Sequence, residues 1–143
     1  MKALINKAEI AKVIPHRHEM FLVEEIVEIK ENHVIGRMHL KKDDWYFRGH
    51  FPDEPIFPGV LMIELAAQVG AVKLINDNPG IRPYMVGVDG FRIRRKAKIG
   101  DTITVCVERV NIRMGFGKAG FVGKNQNEEE IFSGELIFAA KTD

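Results

Sequence analysis

Two side chains that suit proton transfer, His50 and Glu64, stand fourteen positions apart in the middle of the chain. His50 lies between Gly49 and the stiff dipeptide Phe51-Pro52. An imidazole group titrates at a pKa of about 6.5, so a loop histidine can accept a proton near neutrality. A hydrogen-bonded structural histidine is the alternative, and this pattern alone leaves both open.

Glu64 interrupts an apolar stretch from Gly59 to Asn76, whose other polar side chains before Asn76 are Gln68 and Lys73. At about 100° per residue, Gln68 shares the helix face of Glu64 and Lys73 lies opposite. Burial disfavours a carboxylate, so Glu64 has either a partner or a raised pKa, and in both cases it is a candidate acid. A salt-bridged structural glutamate, or one at an exposed helix end, is the alternative.

Pro58 and Gly59 mark the start of this helix, because proline suits a first turn where its missing N–H has no intrahelical partner. Amide groups near Gly59 would point at a ligand with the positive end of the helix dipole behind them. Glycine also permits a carbonyl oxygen to approach closely. A base, an acid and amide donors together favour proton transfer on a carbonyl compound.

The elements that must position these residues form an α+β pattern. The nearly apolar stretch predicts one long central helix surrounded by protein. A short helix over Ala8–Val13 precedes it, and five aromatic residues argue that Lys41–Pro58 is a structured loop. Seven segments with alternating apolar and polar residues predict a sheet of about six mostly antiparallel strands, beginning with a hairpin. The predicted strands are Met20–Lys30, His33–Leu40, Tyr84–Val88, Phe91–Ile99, Thr102–Met114, Lys118–Asn125 and Glu130–Lys141.

Length and composition limit the classes of protein. The 143 residues, 45% of them hydrophobic, fit a single domain over residues 1–143. The one cysteine, Cys106, cannot form an intramolecular disulfide, so the cytoplasm is expected. No apolar run of about 18 residues is free of charge, so membrane insertion is not expected. The sequence has neither zinc-ligand spacing nor a glycine-rich phosphate loop, so no metal and no cofactor are expected.

Four cations alternate with apolar residues late in the chain, at Arg92, Arg94, Lys96 and Lys98. On a strand they would share one face, with Arg95 on the other, bonded within the fold or at an interface. Such a face suits an acidic partner, and an ordinary solvated strand face is the alternative. Nucleic acid is not expected, because exposed aromatics are not interleaved and the net charge is only +1.

Several motifs carry a wider resemblance. They are Ile14-Pro15-His16-Arg17 followed by Phe21-Leu22-Val23, Phe47-Arg48-Gly49-His50-Phe51-Pro52, Pro55–Leu61, Glu64–Gln68, Gly87-Val88-Asp89 and Gly100-Asp101. Together they resemble the (3R)-hydroxyacyl-[acyl carrier protein] dehydratase family of the FabZ type, over about Ile10 to Ala139. The interval from His50 to Glu64 matches that family's catalytic pair. A sister family that also isomerises the double bond has Asp at the position of Glu64, so the simple dehydratase is favoured.

The resemblance implies a hot-dog fold, in which an antiparallel sheet wraps around one long helix, and a double hot-dog homodimer that can assemble into a trimer of dimers. It implies that His50 of one chain and Glu64 of the other share each site. His50 would remove the C2 proton of a 3-hydroxyacyl thioester, Glu64 would protonate the leaving hydroxyl, and the Gly59 amide would bind the carbonyl oxygen. Gln68 and Tyr84 are expected at the substrate, although a core tyrosine with a bonded hydroxyl is equally compatible with Tyr84.

The resemblance also implies a partner and a pathway. The partner is acyl carrier protein with its phosphopantetheine-linked acyl chain, docked by the four cations, while His16 anchors the Pro-His-Arg turn. The chain departs from the family's pattern at Lys42–Tyr46, Lys96 and Ile99, so a specialised fatty-acid-like pathway stays open beside fatty acid synthesis. Two other functions also stay open: a hot-dog acyl thioesterase, and a non-catalytic acyl-carrier-binding module that would need neither His50 nor Glu64.

Overall fold

Six antiparallel strands and two α-helices make up the described part of the chain, residues 3–110 and 112–142, in a computed structural model. Two short 3-10 turns, His18–Met20 and Trp45–Arg48, complete the regular structure. The helices and strands are α1 (Lys7–Ile10), β1 (Glu25–Ile29), β2 (His33–His39), α2 (Gly59–Asp77), β3 (Ile81–Ile93), β4 (Thr102–Glu108), β5 (Phe116–Lys124) and β6 (Glu130–Thr142).

The strands form one sheet in the order β1-β2-β4-β5-β6-β3, and α2 packs against β2, β3, β4 and β5. Leu65, Ala66, Val69 and Val72 of α2 are fully buried. Gly36 permits the close approach of helix and sheet, because a Cβ there would lie 2.7 Å from Cγ2 of Val69. The expected hot-dog arrangement, a sheet wrapped around a central helix, is confirmed.

The central helix is also long and apolar enough to cross a membrane, judged by length and composition alone. Just over half of it is buried inside the fold. Since the sheet covers that part, we interpret α2 as the core helix of a soluble domain rather than as a membrane span.

The region after α2 differs from its predicted elements. Tyr84–Val88 and Phe91–Ile99 were predicted as two strands, but residues 81–93 form the single strand β3. The strand passes Gly90, which adopts a φ of 60°, through irregular register with β6. Glycine adopts this left-handed conformation without steric cost, so the strand bends there instead of ending.

The predicted strand face with four cations is wrong. β3 ends at Ile93, and the N–H groups of Arg94 and Arg95 both turn to the carbonyl of Ile131, at 2.7 and 3.4 Å. Only Arg92 of the four cations therefore lies in a strand. The remaining cations follow on an irregular segment, where they are exposed without strand alternation.

Other predicted boundaries shift at the ends of elements. The first helix stops at Ile10, and the first strand begins at Glu25 because Met20 belongs to a 3-10 turn. The fourth strand stops at Glu108, since Arg109 adopts a φ of 58°, which interrupts an extended chain. The predicted strand as far as Met114 is therefore too long.

The two edges of the sheet are exposed to different degrees. At β1, the N–H groups of Leu4 and Ile5 donate to the carbonyl of Ile26 at 2.8 and 3.0 Å, so the N-terminal segment covers part of this edge. The β3 edge carries exposed apolar side chains, at Tyr84, Met85, Val86 and Ile93. An uncovered apolar edge strand is a surface on which another chain can pair.

An ion-pair network on β1 and β2 makes stability depend on pH. Arg37 and His39 donate to the two carboxylate oxygens of Glu25 at 2.8 and 2.9 Å. The bond from Arg37 and then the bond from His39 lower the pKa of Glu25 from 4.5 to about 2. This stabilisation is complete above pH 4.5 and is lost as the pH falls toward 2.

We expect Glu25→Gln to lower the free energy of unfolding by about 1 kcal/mol at neutral pH, the scale of a solvent-screened pair. The difference should shrink below the ordinary pKa of glutamate, because the unfolded wild-type chain then binds a proton. Urea denaturation of the wild-type and Glu25→Gln proteins, at neutral pH and at about pH 3, measures the difference between their free energies of unfolding. A difference that stays constant between the two conditions would contradict this assignment.

Candidate active site

The loop that carries His50 closes on itself. The N–H of Ile56 donates to the carbonyl of His50 at 2.8 Å, and Phe51 and Glu54 exchange two backbone hydrogen bonds of 3.1 Å. The peptide bond between His50 and Phe51 is cis. The N–H of the buried Phe57 then donates to a neighbouring backbone carbonyl, which fixes the end of the loop against the fold.

The imidazole of His50 has one nitrogen committed to the loop. Nδ1 lies 3.2 Å from the carbonyl oxygen of Ile56, and the Phe51 ring stacks on the imidazole with centroids 4.3 Å apart. Because a carbonyl can only accept, Nδ1 carries the hydrogen in this bond. In this tautomer Nε2 has a lone pair that no described residue uses, as a general base requires.

Aromatic residues ahead of His50 form the base of the loop. The ring of Tyr46 makes edge contacts with Phe47 and Phe57, with centroids 4.8 and 4.9 Å apart. Its hydroxyl donates to Asp44 at 2.8 Å, and burial, followed by this bond, raises the pKa of Tyr46. These buried aromatic side chains therefore anchor both ends of the loop in the core.

The start of α2 presents free amides next to this loop. The carbonyl of Pro58 accepts the N–H of Leu61 at 3.0 Å, whereas Gly59 and Val60 stand too early in the helix to have an intrahelical acceptor. A Cβ at Gly59 would lie 2.8 Å from Cδ1 of Ile93, so glycine permits the helix to begin close to β3. The geometry agrees with an amide site for a developing negative charge.

Glu64 lies about one and a half turns into α2, and its side chain is 21% exposed. Its Oε2 accepts from Nε2 of Gln68 at 2.8 Å and lies 3.3 Å from Nε2 of His16. Burial raises the pKa of Glu64, but the hydrogen bonds from His16 and Gln68 outweigh it and hold the pKa below its ordinary value. Of the two predicted alternatives, a partner or a raised pKa, the structure shows the partners.

Gln68 was expected at the substrate, but the structure places it behind Glu64. It is fully buried, and its oxygen accepts the N–H groups of Leu22 and Val23 at 2.9 and 3.2 Å. Its nitrogen donates to the carbonyl of Met20 at 2.5 Å and to Glu64 at 2.8 Å. All its hydrogen-bonding groups are therefore used inside the chain.

His16 is the contact that sequence analysis missed, since it assigned His16 only to a turn. Arg17 holds that turn by donating to the carbonyls of Ala11, Ile14 and His16 at 2.6, 2.8 and 2.7 Å. The turn places the imidazole against Glu64. No local periodicity relates two positions so far apart, and the Pro-His-Arg motif was the only available signal.

A cavity of about 100 Å³ with mostly apolar walls lies beside Glu64. Its walls come from α2 and the inner face of the sheet, and include Ala67, Leu74, Leu136 and Phe138. Tyr84 borders it as well and is 51% exposed at the β3 edge, so it is not a core tyrosine. This shape suits an apolar chain whose polar end lies at the carboxylate.

His50 and Glu64 are not brought together within one chain. In the described residues the imidazole of His50 contacts Phe51 and Ile56, and it is not part of the cavity wall that contains Glu64. A site that uses both residues would therefore need a second chain.

The cations after β3 gather at one surface depression, which includes Arg94, Arg95, Lys96 and Lys98. The first three each pair with a glutamate, at 2.6, 3.3 and 3.0 Å. The expectation that Arg95 bonds within the fold is confirmed. Among the described residues, Lys98 and Arg92 have no acidic partner, so they are the cations most available to a ligand.

Comparison with known families finds one matching domain model. Residues 14–138 match the FabA-like domain. The FabZ 3-hydroxyacyl-[acyl-carrier-protein] dehydratase of Clostridium perfringens is 36% identical over 140 residues, covering 95% of this chain and 99% of the relative. The enzyme of the same name from Syntrophomonas wolfei is 40% identical over 146 residues, covering 97% of this chain and 99% of that relative.

Solved structures share the fold at low sequence identity. The dehydratase heterocomplex ApeI:P from Xenorhabdus doucetiae superposes with a TM-score of 0.79 at 16% identity, covering 94% of this chain and 91% of that one. The E. coli PaaI protein superposes with a TM-score of 0.64 at 16% identity, covering 80% of each chain. These similarities confirm the architecture and do not by themselves distinguish its reactions.

Proposed function

This chain belongs to the FabA-like family, together with the FabZ 3-hydroxyacyl-[acyl-carrier-protein] dehydratases, and from that membership we propose that His50 and Glu64 carry out the dehydration. The enzyme is a hydro-lyase of fatty acid biosynthesis, and its substrate is a (3R)-3-hydroxyacyl group on acyl carrier protein. The products are the trans-2-enoyl thioester and water. We place the protein in the cytoplasm.

The chemistry divides between three groups. A C2 hydrogen is weakly acidic, so its removal needs a base together with a donor at the thioester oxygen where charge develops. His50 takes the proton on Nε2, and the Gly59 amide stabilises the oxygen. A hydroxyl is a poor leaving group, and the protonated form of Glu64 supplies the proton with which it leaves as water.

Two observations carry the proposal: Glu64 lies at the wall of an apolar cavity, and Nε2 of His50 has no hydrogen-bond partner among the described residues. The first suits a thioester-bound acyl chain with its 3-hydroxyl at the carboxylate. The second suits a base. Since one chain does not join them, we assign each site to His50 of one protomer and Glu64 of the partner subunit.

The β3 edge is the surface that we assign to the dimer. It is apolar and uncovered, whereas the N-terminal segment already covers part of the β1 edge. Val60 and Ile93, at the start of α2 and the end of β3, extend the exposed apolar surface toward the His50 loop. Pairing of β3 with its symmetry mate would join two sheets and bring two sites to the interface.

The first experiment follows the enoyl absorbance of crotonyl-acyl carrier protein during hydration, beside a free-thiol assay. We expect a reversible loss of absorbance without thiol release, abolished by His50→Asn, whose amide keeps a donor toward Ile56. Thiol release would identify a thioesterase instead. No change in either the enoyl absorbance or the free thiol, with several acyl-chain lengths and carrier proteins, would favour a non-catalytic binding module.

Carrier docking makes a separate prediction. Acyl carrier protein is acidic, so we assign its docking to the depression formed by the cations after β3, where Lys98 makes no salt bridge among the described residues. Arg92 lies outside this depression, at the end of β3, and is a second cation without an acidic partner among the described residues. Lys98→Glu should raise KM for the acyl-carrier substrate by about tenfold, since one charge pair becomes a repulsion. It should leave KM unchanged for the same acyl group on pantetheine.

Lys30→Glu is the matched control, because Lys30 is an exposed lysine directly after β1, at the opposite edge of the sheet. We expect no change of KM with either substrate. An equal rise of KM for both substrates in Lys98→Glu would show that the charge affects the active site rather than the carrier.

A further inference from the structure

Gln68 and His16 approach the same carboxylate oxygen of Glu64. Nε2 of Gln68 donates to Oε2 at 2.8 Å, and Nε2 of His16 lies 3.3 Å from that oxygen. In residues 3–110 and 112–142, no group makes a hydrogen bond with Oε1 of Glu64. The two oxygens of this acid therefore have different surroundings.

The amide of Gln68 can adopt only one orientation here. Its oxygen accepts the N–H groups of Leu22 and Val23, which can only donate. Its nitrogen therefore faces the carbonyl of Met20 and Oε2 of Glu64 and donates to both. An amide nitrogen cannot accept a proton from a carboxylic acid, so Oε2 is fixed as an acceptor.

The surroundings of the His16 ring place a hydrogen on Nε2. Nδ1 is buried and has no hydrogen-bond partner among the described residues. A hydrogen on Nδ1 would be an unsatisfied N–H, which costs more than an unused lone pair. A carboxylate oxygen can only accept, so Nε2 donates to Oε2 of Glu64.

We propose that Gln68 and His16 are positioning residues that occupy Oε2 of Glu64 and so reserve Oε1 for the proton given to the leaving hydroxyl. The inference rests on the proposed dehydration. Both acceptor directions of Oε2 are taken, so the neutral acid carries its hydrogen on Oε1. His16 acts as a hydrogen-bond donor and gives up no proton.

The reaction balances with this assignment. His50 takes the C2 proton, and the electron pair of that C–H bond forms the C2=C3 double bond. The C3–O bond breaks with its electron pair on oxygen. The Oε1 hydrogen of Glu64 joins that oxygen, so water leaves and a carboxylate remains, whose negative charge is stabilised by the two donors at Oε2.

Two substitutions of His16 separate donation from proton transfer. His16→Gln keeps an N–H donor near the position of Nε2 but cannot hold a second proton, whereas His16→Met has no donor. We expect His16→Gln to stay within about threefold of wild-type kcat, and His16→Met to lose about tenfold. In the hydration direction the Glu64 carboxylate takes a proton from water, so its pKa sets the acid limb of kcat/KM, the loss of activity at low pH. Of the two His16 variants, only His16→Met should move this limb to higher pH, because losing a donor raises the pKa of Glu64.

Two further variants control for packing and for other titrating groups. Gln68→Glu keeps the acceptor for Leu22 and Val23 but removes the donor to Glu64, so it should move the acid limb in the same direction. Tyr84 is the remaining titratable side chain on the cavity wall, and Tyr84→Phe should leave the acid limb in place. Thermal unfolding identifies any variant that has lost the fold.

A carbon-13 titration of the Glu64 carboxyl in the full-length protein gives the same comparison without substrate. A raised midpoint in His16→Met and Gln68→Glu, with none in His16→Gln, supports the inference. Equal losses of kcat in His16→Gln and His16→Met would overturn it in favour of proton transfer by His16, and an unmoved midpoint in His16→Met would overturn it as well. An inactive wild-type protein with the expected titration would count against the dehydration alone.

Discussion

A mixed dimer of His50→Asn and Glu64→Gln chains should show about half of wild-type activity, although each variant alone should lose about 10²- to 10⁴-fold. In each single-variant dimer, both sites lack one member of the pair. In the mixed dimer, one site receives His50 from one chain and Glu64 from the other. The second site receives both substitutions and stays inactive.

The substitutions are chosen to keep the local structure. The amide of Asn can donate to the carbonyl of Ile56, as Nδ1 of His50 does. The amide oxygen of Gln at position 64 can accept from Gln68, the bond that Oε2 of Glu64 makes. Unchanged thermal unfolding of both variants would therefore assign their losses of activity to chemistry.

Coexpression with two different affinity tags, followed by two purification steps, isolates the mixed dimer. Activity is measured as hydration of crotonyl-acyl carrier protein, with mixed dimers of tagged wild-type chains as the reference. A mixed dimer as inactive as its parents would show that each site takes both residues from one chain, against the assignment made here.

The second large effect concerns the interface itself. Val86→Arg should separate the dimer and lower kcat/KM by about 10²-fold or more, although His50 and Glu64 are both retained. Val86 lies on β3 and is 58% exposed. An arginine there would be buried without a partner against the symmetry mate of β3, and burial of an unpaired charge costs several kcal/mol.

Leu4→Arg provides a control of equal exposure, because Leu4 is also 58% exposed but lies beside β1, at the other edge of the sheet. Sedimentation equilibrium and activity at matched concentrations measure both variants. Dissociation by Leu4→Arg but not by Val86→Arg would move the interface to β1. A fully active Val86→Arg monomer would contradict a shared site.

The central helix was predictable because its signals are local. Pro58 and Gly59 start it, and an apolar stretch without a strong breaker continues it to Asp77. The single strand β3 was not predictable in the same way. A glycine at position 90 predicts a break between two strands. In the structure β6 is as long as β3 and pairs with it on both sides of Gly90, so β3 continues through the bend.

The site was predictable to the extent that its chemistry is carried by residue type. His50, Gly59 and Glu64 stand in a recognisable order along the chain, and their roles remain a proposal that follows from residue type and order. The roles of His16 and Gln68 depend on hydrogen bonds between distant segments, which helical periodicity does not encode. Their positions around Glu64 required the folded arrangement.

The unequal edges of the sheet also bear on how far assembly can proceed. A chain with two open edges can add neighbours on both sides and grow into a fibre. Here the N-terminal segment occupies part of the β1 edge, which leaves β3 for pairing. If two identical β3 edges pair about a twofold axis, neither edge has unpaired N–H and C=O groups left for a third chain. Growth by sheet extension then stops at two chains. In such a dimer, the pairing of Leu4 and Ile5 with Ile26 would oppose further addition of strands at the β1 edge.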